Sequence, residues 1–463
     1  MASTSHESPR AEQPLAVRMA EALVDYTWHD LSPEVIAKAK LCVYDLLSSA
    51  FAAGDLPWSR QAARLARRNS GGVANGAGII GTASVVSVQD AAFANGVVGH
   101  GLVRDDMHVG SVSHLGTVLV PALLALSETT RVSGKDFLTA LASGYEVGGK
   151  VGRMILDVEV SKIFRPTGIT GPIAAAAAGA KLLGLNAEQT VTALALGANA
   201  AAGYNEWAET GGSEMFFHTG LAARSGVTAV QLAADGAYAS RTALDGAAGI
   251  LAAFRKPRHP TVPELFADRA EILAVFFKPV PGCNFAQSPA QAALAIAKRQ
   301  RMRPVDVERI IVHCTRAAAL YPGCDFNGPF EHILQAKMSI HYNVAAALAH
   351  GDFAERNYVP QQNPTVLQLA KLAQLDIDAD LTLAFPAKQG AGVTVRLRNR
   401  ETLEARVEDV VPTDAAGVHT RFLAAASTCI GAPRAAELDL LIANLESCAD
   451  AAELARLTHK GAA

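Results

Sequence analysis

Charge is scarce in this sequence. Asp, Glu, Lys and Arg make up 18% of its 463 residues, against about 25% in an average soluble chain. The 41 basic and 44 acidic side chains nearly cancel, for a net charge of −3, so there is no broad electrostatic footprint for nucleic acid or an anionic membrane. Cysteine is also sparse: six residues, at 42, 283, 314, 324, 429 and 448, with no C-x-x-C pair. Iron–sulfur clusters and structural zinc sites need clustered thiolates, and that clustering is missing. Few cysteines in a long chain also fit a reducing, cytoplasmic compartment. No uncharged apolar run approaches the about 20 residues that span a bilayer, because Lys181 and Glu188 break the alanine-rich stretch after Pro172. The opening MASTSHESPRAEQP has none of the apolar character of a secretory leader and reads as a flexible tail over residues 1–14. The G-x-x-x-x-G-K-[ST], G-x-S-x-G and strand-borne G-x-G-x-x-G patterns are absent, which sets aside P-loop, α/β-hydrolase and dinucleotide-binding chemistry.

What is present is apolar material, 50% of the residues, enough for a large core shared by two domains. From about 15 to 275 the pattern is helical. Ser32-Pro33 sets an N-cap before an N1 proline, and Val35, Ala39, Val43, Leu46 and Leu47 follow at helical spacing. Ser133 to Asp136 opens another helix, and Asn186 to Gln189 reads as a capping box. Alanine and glycine on several faces predict closely approaching, fully buried helices. After about 275 the signal changes. Arg309–Cys314 is short and β-branched, and 392–398 with 402–408 alternates apolar and polar on both arms of a hairpin. Helical patterns lie between these strands and return after 414. The expected fold is mainly α: an all-helical domain over 15–275 plus 410–463, and a smaller α+β lid domain over 276–409. Low charge on the helical body predicts faces covered by a second copy, a twofold homodimer.

Four segments concentrate groups able to do chemistry. The densest runs from Asn95 to His114, with His100, His108, His114, Arg104, Asp105 and Asp106 among glycines. Imidazoles and carboxylates exchange protons near neutral pH; a metal, or a plain polar loop, remains the alternative reading. The second, Phe164 to Pro172, places Arg165 beside a Gly/Thr loop, and Pro172 at N1 would aim helix amides at that loop, a carboxylate or phosphate site. The third, Phe277 to Asn284, sits where the helical body gives way to the α+β unit and offers Lys278 for a carboxylate, while Cys283 reads as a packed thiol. The fourth, Gly212 to Gly220, offers His218 near a helix start.

Together these segments resemble the MmgE/PrpD family. The resemblance rests on AAFANGVVGHGLVRDDMHVGSVSHLGTVLVPALLALSE (91–128), GYEV (144–147), FRPTGITGPIAAAAAGAKLLGL (164–185), HTGLAARSG (218–226), FKPVPGCNFAQSPAQAALA (277–295) and AKMSIHYNVAAAL (336–348), in the family's order and over nearly the whole chain. It implies a homodimer with a large helical domain and a smaller lid, working without metal or other cofactor on a small di- or tricarboxylate. Asp105 and Asp106 match the family's L-D-F-D-D-T-H run, His114 its S-H-P histidine, and Lys278 through Cys283 its K-P-x-P-x-C segment. Val103, Met107, Arg165 and Met215 stand where the family or its decarboxylases carry Asp, Thr, His and Lys. The implied catalytic set is His114, alternating with His218, together with Lys278 and Asp106. Arg165, Asp105, His108 and Cys283 form the substrate-binding set. The implied reaction is that of a lyase, dehydratase or decarboxylase in type, moving a proton next to a carboxylate. An epimerase or isomerase, and a binding protein that kept the fold without catalysis, are the alternatives.

Overall fold

The computed structural model describes residues 13–257, 264–300 and 302–460, so the expected tail over 1–14 lies almost wholly outside the described residues. The N-terminal half is built from helices whose ends follow their caps. Ser32 Oγ accepts the amide of Val35 and starts Pro33–Ala53. Ser133 with Asp136, and Asn186 with Gln189, form the two reciprocal capping boxes that begin Gly134–Ile155 and Ala187–Asn199. At the centre lies Pro166–Leu182, buried on every face except at Lys181, with Gly134–Ile155, Ala187–Asn199 and Glu214–Ala234 packed around it. Small residues make this possible. A methyl added at Gly226 would sit 2.3 Å from the Cβ of Ala175, and one at Gly96 would sit 2.9 Å from the Cα of Gly220. These helices pack backbone against backbone.

One boundary differs from the expectation. The central helix starts at Pro166, not Pro172, with Arg165 as its N-cap residue and Pro172 inside it. A proline at N1 costs no hydrogen bond, while Pro172 in the helix interior removes one, and the carbonyl of Gly168 that it leaves free accepts the amide of Ala202 instead. The sequence contains both prolines, and the first is the one that begins the helix.

The α+β unit carries a four-stranded sheet. Ala373–Ile377 runs parallel to Val307–Cys314, followed in antiparallel order by Ala391–Leu397 and Thr402–Val407. Gln287–Arg299 packs on the sheet and on Ile340–His350. The chain then returns to the helical body, where Ala415–Ile430 packs along Pro33–Ala53. A short antiparallel pair joins the two parts at the site: Met107 and His108 pair with Phe276 and Val275. It brings the polar loop after residue 100 against the segment that leads to Lys278.

Candidate active site

Val88–His100 ends on His100, and the chain turns through a loop to Gly116–Ser127. Val103 and Val112 take left-handed backbone angles in that loop, φ 58° and 48°. The turns fold it back, so that Asp105 lies between two imidazoles. Its Oδ1 is 2.8 Å from His100 Nδ1 and its Oδ2 is 2.8 Å from His114 Nδ1. His114 Nδ1 is also 2.8 Å from the backbone carbonyl of Asp106, and only that contact has hydrogen-bond geometry. Both neighbours of Nδ1 are acceptors, so Nδ1 carries the proton and Nε2 keeps its lone pair. The tautomer of His100 is fixed similarly: Nδ1–H points at Asp105, and Nε2 accepts from Arg165 Nη2 at 3.0 Å.

Burial lowers the pKa of both imidazoles, that of His114 to about 3, so His114 is a neutral base at physiological pH. Burial alone would raise Asp105; the imidazole N–H groups on either side outweigh it and hold the carboxylate well below the usual range. Arg165 is buried over the face of Trp207, 5.6 Å from the ring centroid, and its Nε has no partner. A buried guanidinium N–H without an acceptor is costly unless a ligand supplies one.

His114, Arg165, Cys283, Asn284 and Tyr321 line a small chamber of about 20 Å³, with Val103, Met107, Val112, Met215 and Met338 among its apolar walls. That is room for about one water; a larger ligand requires the walls to part. Lys278, wholly buried, comes from the segment at the start of the α+β unit. Its Nζ donates to Val103 O at 2.5 Å and Gly282 O at 3.1 Å. Burial pushes its pKa down to about 8 despite Asp105 nearby. Lys337 clamps the same loop one residue earlier, donating to Leu102 O at 2.9 Å and Pro281 O at 3.1 Å.

Of the residues expected from sequence, His114, Asp105, Arg165 and Cys283 gather at the chamber. Lys278 adjoins them but spends its hydrogen bonds on backbone carbonyls. Asp106 stands behind the loop. Its carboxylate takes the phenol of Tyr145 at 2.5 Å and the Gly116 amide at 3.1 Å, and burial raises its pKa to about 7. His218 lies beside Arg165, which with burial lowers its pKa to about 4, and is not a chamber wall. His108 does not line the chamber: it faces Ser111 and, at 2.8 Å, Glu271, a pairing that anchors the loop. Cys283 Sγ lies 3.6 Å from Cys324 Sγ. His100, Tyr145, Tyr321 and Lys337 are the residues that sequence reasoning did not assign. His100 was visible in the polar cluster and Lys337 lies in the 336–348 segment, while Tyr321 lies in a segment with no chemical pattern around it. By distance alone His100, Asp105 and His114 could hold a metal ion, but each Nδ1 is already hydrogen-bonded and Arg165 occupies His100 Nε2, so the set fits an acid–base relay better.

The MmgE/PrpD N-terminal domain matches residues 17–263 and the MmgE/PrpD C-terminal domain matches 280–436. A cis-aconitate decarboxylase-like protein of Aspergillus oryzae is 27% identical, covering 92% of this chain and 94% of its own. The cis-aconitate decarboxylases of Mus musculus and Homo sapiens are each 28% identical, covering 79% of this chain and 78% of theirs.

Proposed function

The chain belongs to the MmgE/PrpD family, and on that premise we propose that it is a cofactor-independent lyase, a decarboxylase or dehydratase in type. Its substrate is a small di- or tricarboxylate, and it moves a proton at the carbon beside a carboxylate. One observation carries the reading: a neutral imidazole with its Nδ1–H committed, His114, faces the same chamber as a buried arginine with an unpartnered N–H, Arg165. The guanidinium holds the substrate carboxylate and stabilises the enediolate charge that develops as the α-proton leaves. His114 Nε2 takes or returns that proton, and Asp105 steadies the imidazolium that forms. The approaching carboxylate itself raises the basicity of His114, since a negative charge nearby favours the protonated ring.

The named relatives are decarboxylases acting on cis-aconitate. This chamber is more apolar than a tricarboxylate alone calls for, with valine and methionine at Val103, Met107, Met215 and Met338. We therefore assign it a substrate that carries an alkyl group beside its carboxylates. The body spans 15–275 with 410–463, the lid spans 276–409, and the lid parts from the body to admit substrate. A proton NMR time course in deuterium oxide with a panel of di- and tricarboxylates tests the reading. Alkene signals or loss of carbon dioxide, fastest with alkyl-substituted members, are expected. Deuterium exchange at the α-carbon with no elimination would make it an epimerase, and no change in any member would overturn catalysis.

A further inference from the structure

A second and larger cleft, of about 670 Å³, opens between Pro33–Ala53, the 79–82 turn and Ala415–Ile430. Its size suits a small ligand. Four of its lining residues are charged: Arg104, Arg421, Lys460 and Asp55. Asp55 is already paired with Arg60 at 3.0 Å. Arg421 donates to Asp45 Oδ1 at 2.8 Å and to the carbonyl of Lys278 at 2.8 Å. Arg104 is different. Its Nη2 makes a long hydrogen bond to Ser48 O, 3.4 Å, and no carboxylate of the described residues lies within ion-pair distance of it. The Nε of both arginines is buried with no acceptor. Burial and the neighbouring Arg421 lower the pKa of Arg104 to about 10, against the pull of Asp45, Glu355 and Asp105, and burial raises Asp45 to about 6. These carboxylates offset the charge of the two arginines but leave both Nε–H groups without an acceptor. Two guanidiniums converging on a roomy cleft, with free N–H groups and a lysine at the rim, form a fork for an oxyanion.

We propose that this cleft is a second anion site, separate from the catalytic chamber, which binds a small oxyanion of the phosphate or polycarboxylate class through Arg104, Arg421 and Lys460. Its position links it to the chamber. Arg104 precedes Asp105 in the loop, and Arg421 holds the backbone of Lys278.

Isothermal titration of the full chain with inorganic phosphate, and separately with citrate, tests the site. At least one probe is expected to bind with a Kd of about 1 mM or tighter, and the tighter of the two identifies the source of the anion. Ala424→Glu places a carboxylate on an exposed helix position facing the cleft and is expected to weaken binding about tenfold or more. Arg104→Met is a second variant, in case the first fails to fold by circular dichroism. Arg165→Met, which alters only the chamber, is expected to leave this binding in place. Absence of binding by both probes up to about 10 mM, or binding that survives Arg104→Met and Ala424→Glu but is lost in Arg165→Met, would overturn the proposal.

Discussion

At the scale of single residues, burial and neighbouring charge tune three groups in one place. His114 is kept neutral, Asp105 is kept ionised, and Lys278 is brought down to about 8. For Lys278 the sign is definite. A lysine with a depressed pKa is charged below about 8 and loses its proton above it, and we propose that only the charged form, acting through space from beside Asp105, stabilises anionic substrate and intermediate. The basic limb of kcat/KM is therefore expected near pH 8. Lys278→Arg keeps the charge at every accessible pH and is expected to move that limb up by at least about one pH unit, even if the larger head lowers the plateau. A limb that stays in place in the variant would assign it to another group.

Not every residue the sequence offered belongs to the chemistry. The cluster from His100 to His114 was legible because polar groups and glycines stand together between apolar helical runs. Which of its histidines reaches the chamber was not. His108 and His114 look alike along the chain, and only the fold decides that one meets Ser111 and Glu271 while the other meets Asp105. Tyr321 carried no local signal, and Lys337 was legible only as part of the AKMSIHYNVAAAL segment; that one meets Arg165 and the other the carbonyls of Leu102 and Pro281 is decided by the fold.

At the scale of elements, the loop between Val88–His100 and Gly116–Ser127 is held from several sides. Lys337 and Lys278 take the successive carbonyls of Leu102 and Val103, the Met107–His108 pairing ties it to Val275–Phe276, and Thr167 at the start of the central helix accepts the amide of His114. This anchoring holds Val103 at a left-handed φ of 58°, which a β-branched side chain adopts only at a cost of about 1–2 kcal/mol. Asparagine tolerates that region far better, but Val103 is also buried in the chamber's apolar wall. Val103→Asn therefore sets relief of the strain against burial of an unpartnered amide, and is expected to lower the unfolding free energy by about 1 kcal/mol or more in denaturant titrations. An unchanged or higher value would mean that the strain at this angle outweighs the buried amide. Helix caps and the 391–407 hairpin were readable because they depend on neighbours a few residues away. The strand Ala373–Ile377 was not, because its pairing with Val307–Cys314 is parallel and long-range. The start of the central helix was misplaced because Pro166 and Pro172 are both acceptable as first residues and the sequence contains nothing that chooses between them.

At the scale of the whole molecule, no helix among the described residues is long and apolar enough to cross a membrane. We propose that the weakly charged helical body is covered instead by a second copy in a homodimer. Multi-angle light scattering at micromolar concentration is expected to give twice the 48.3 kDa chain mass; a monomer would remove that part of the account. The central claim is that His114 carries the proton, and it is tested most directly by deuterium incorporation. The carboxylate panel would be incubated in deuterium oxide with wild type and with His114→Gln, whose helical circular dichroism should match wild type. Exchange or turnover by the variant is expected to fall by about 10²–10⁴, and wild-type rates in His114→Gln would contradict the claim.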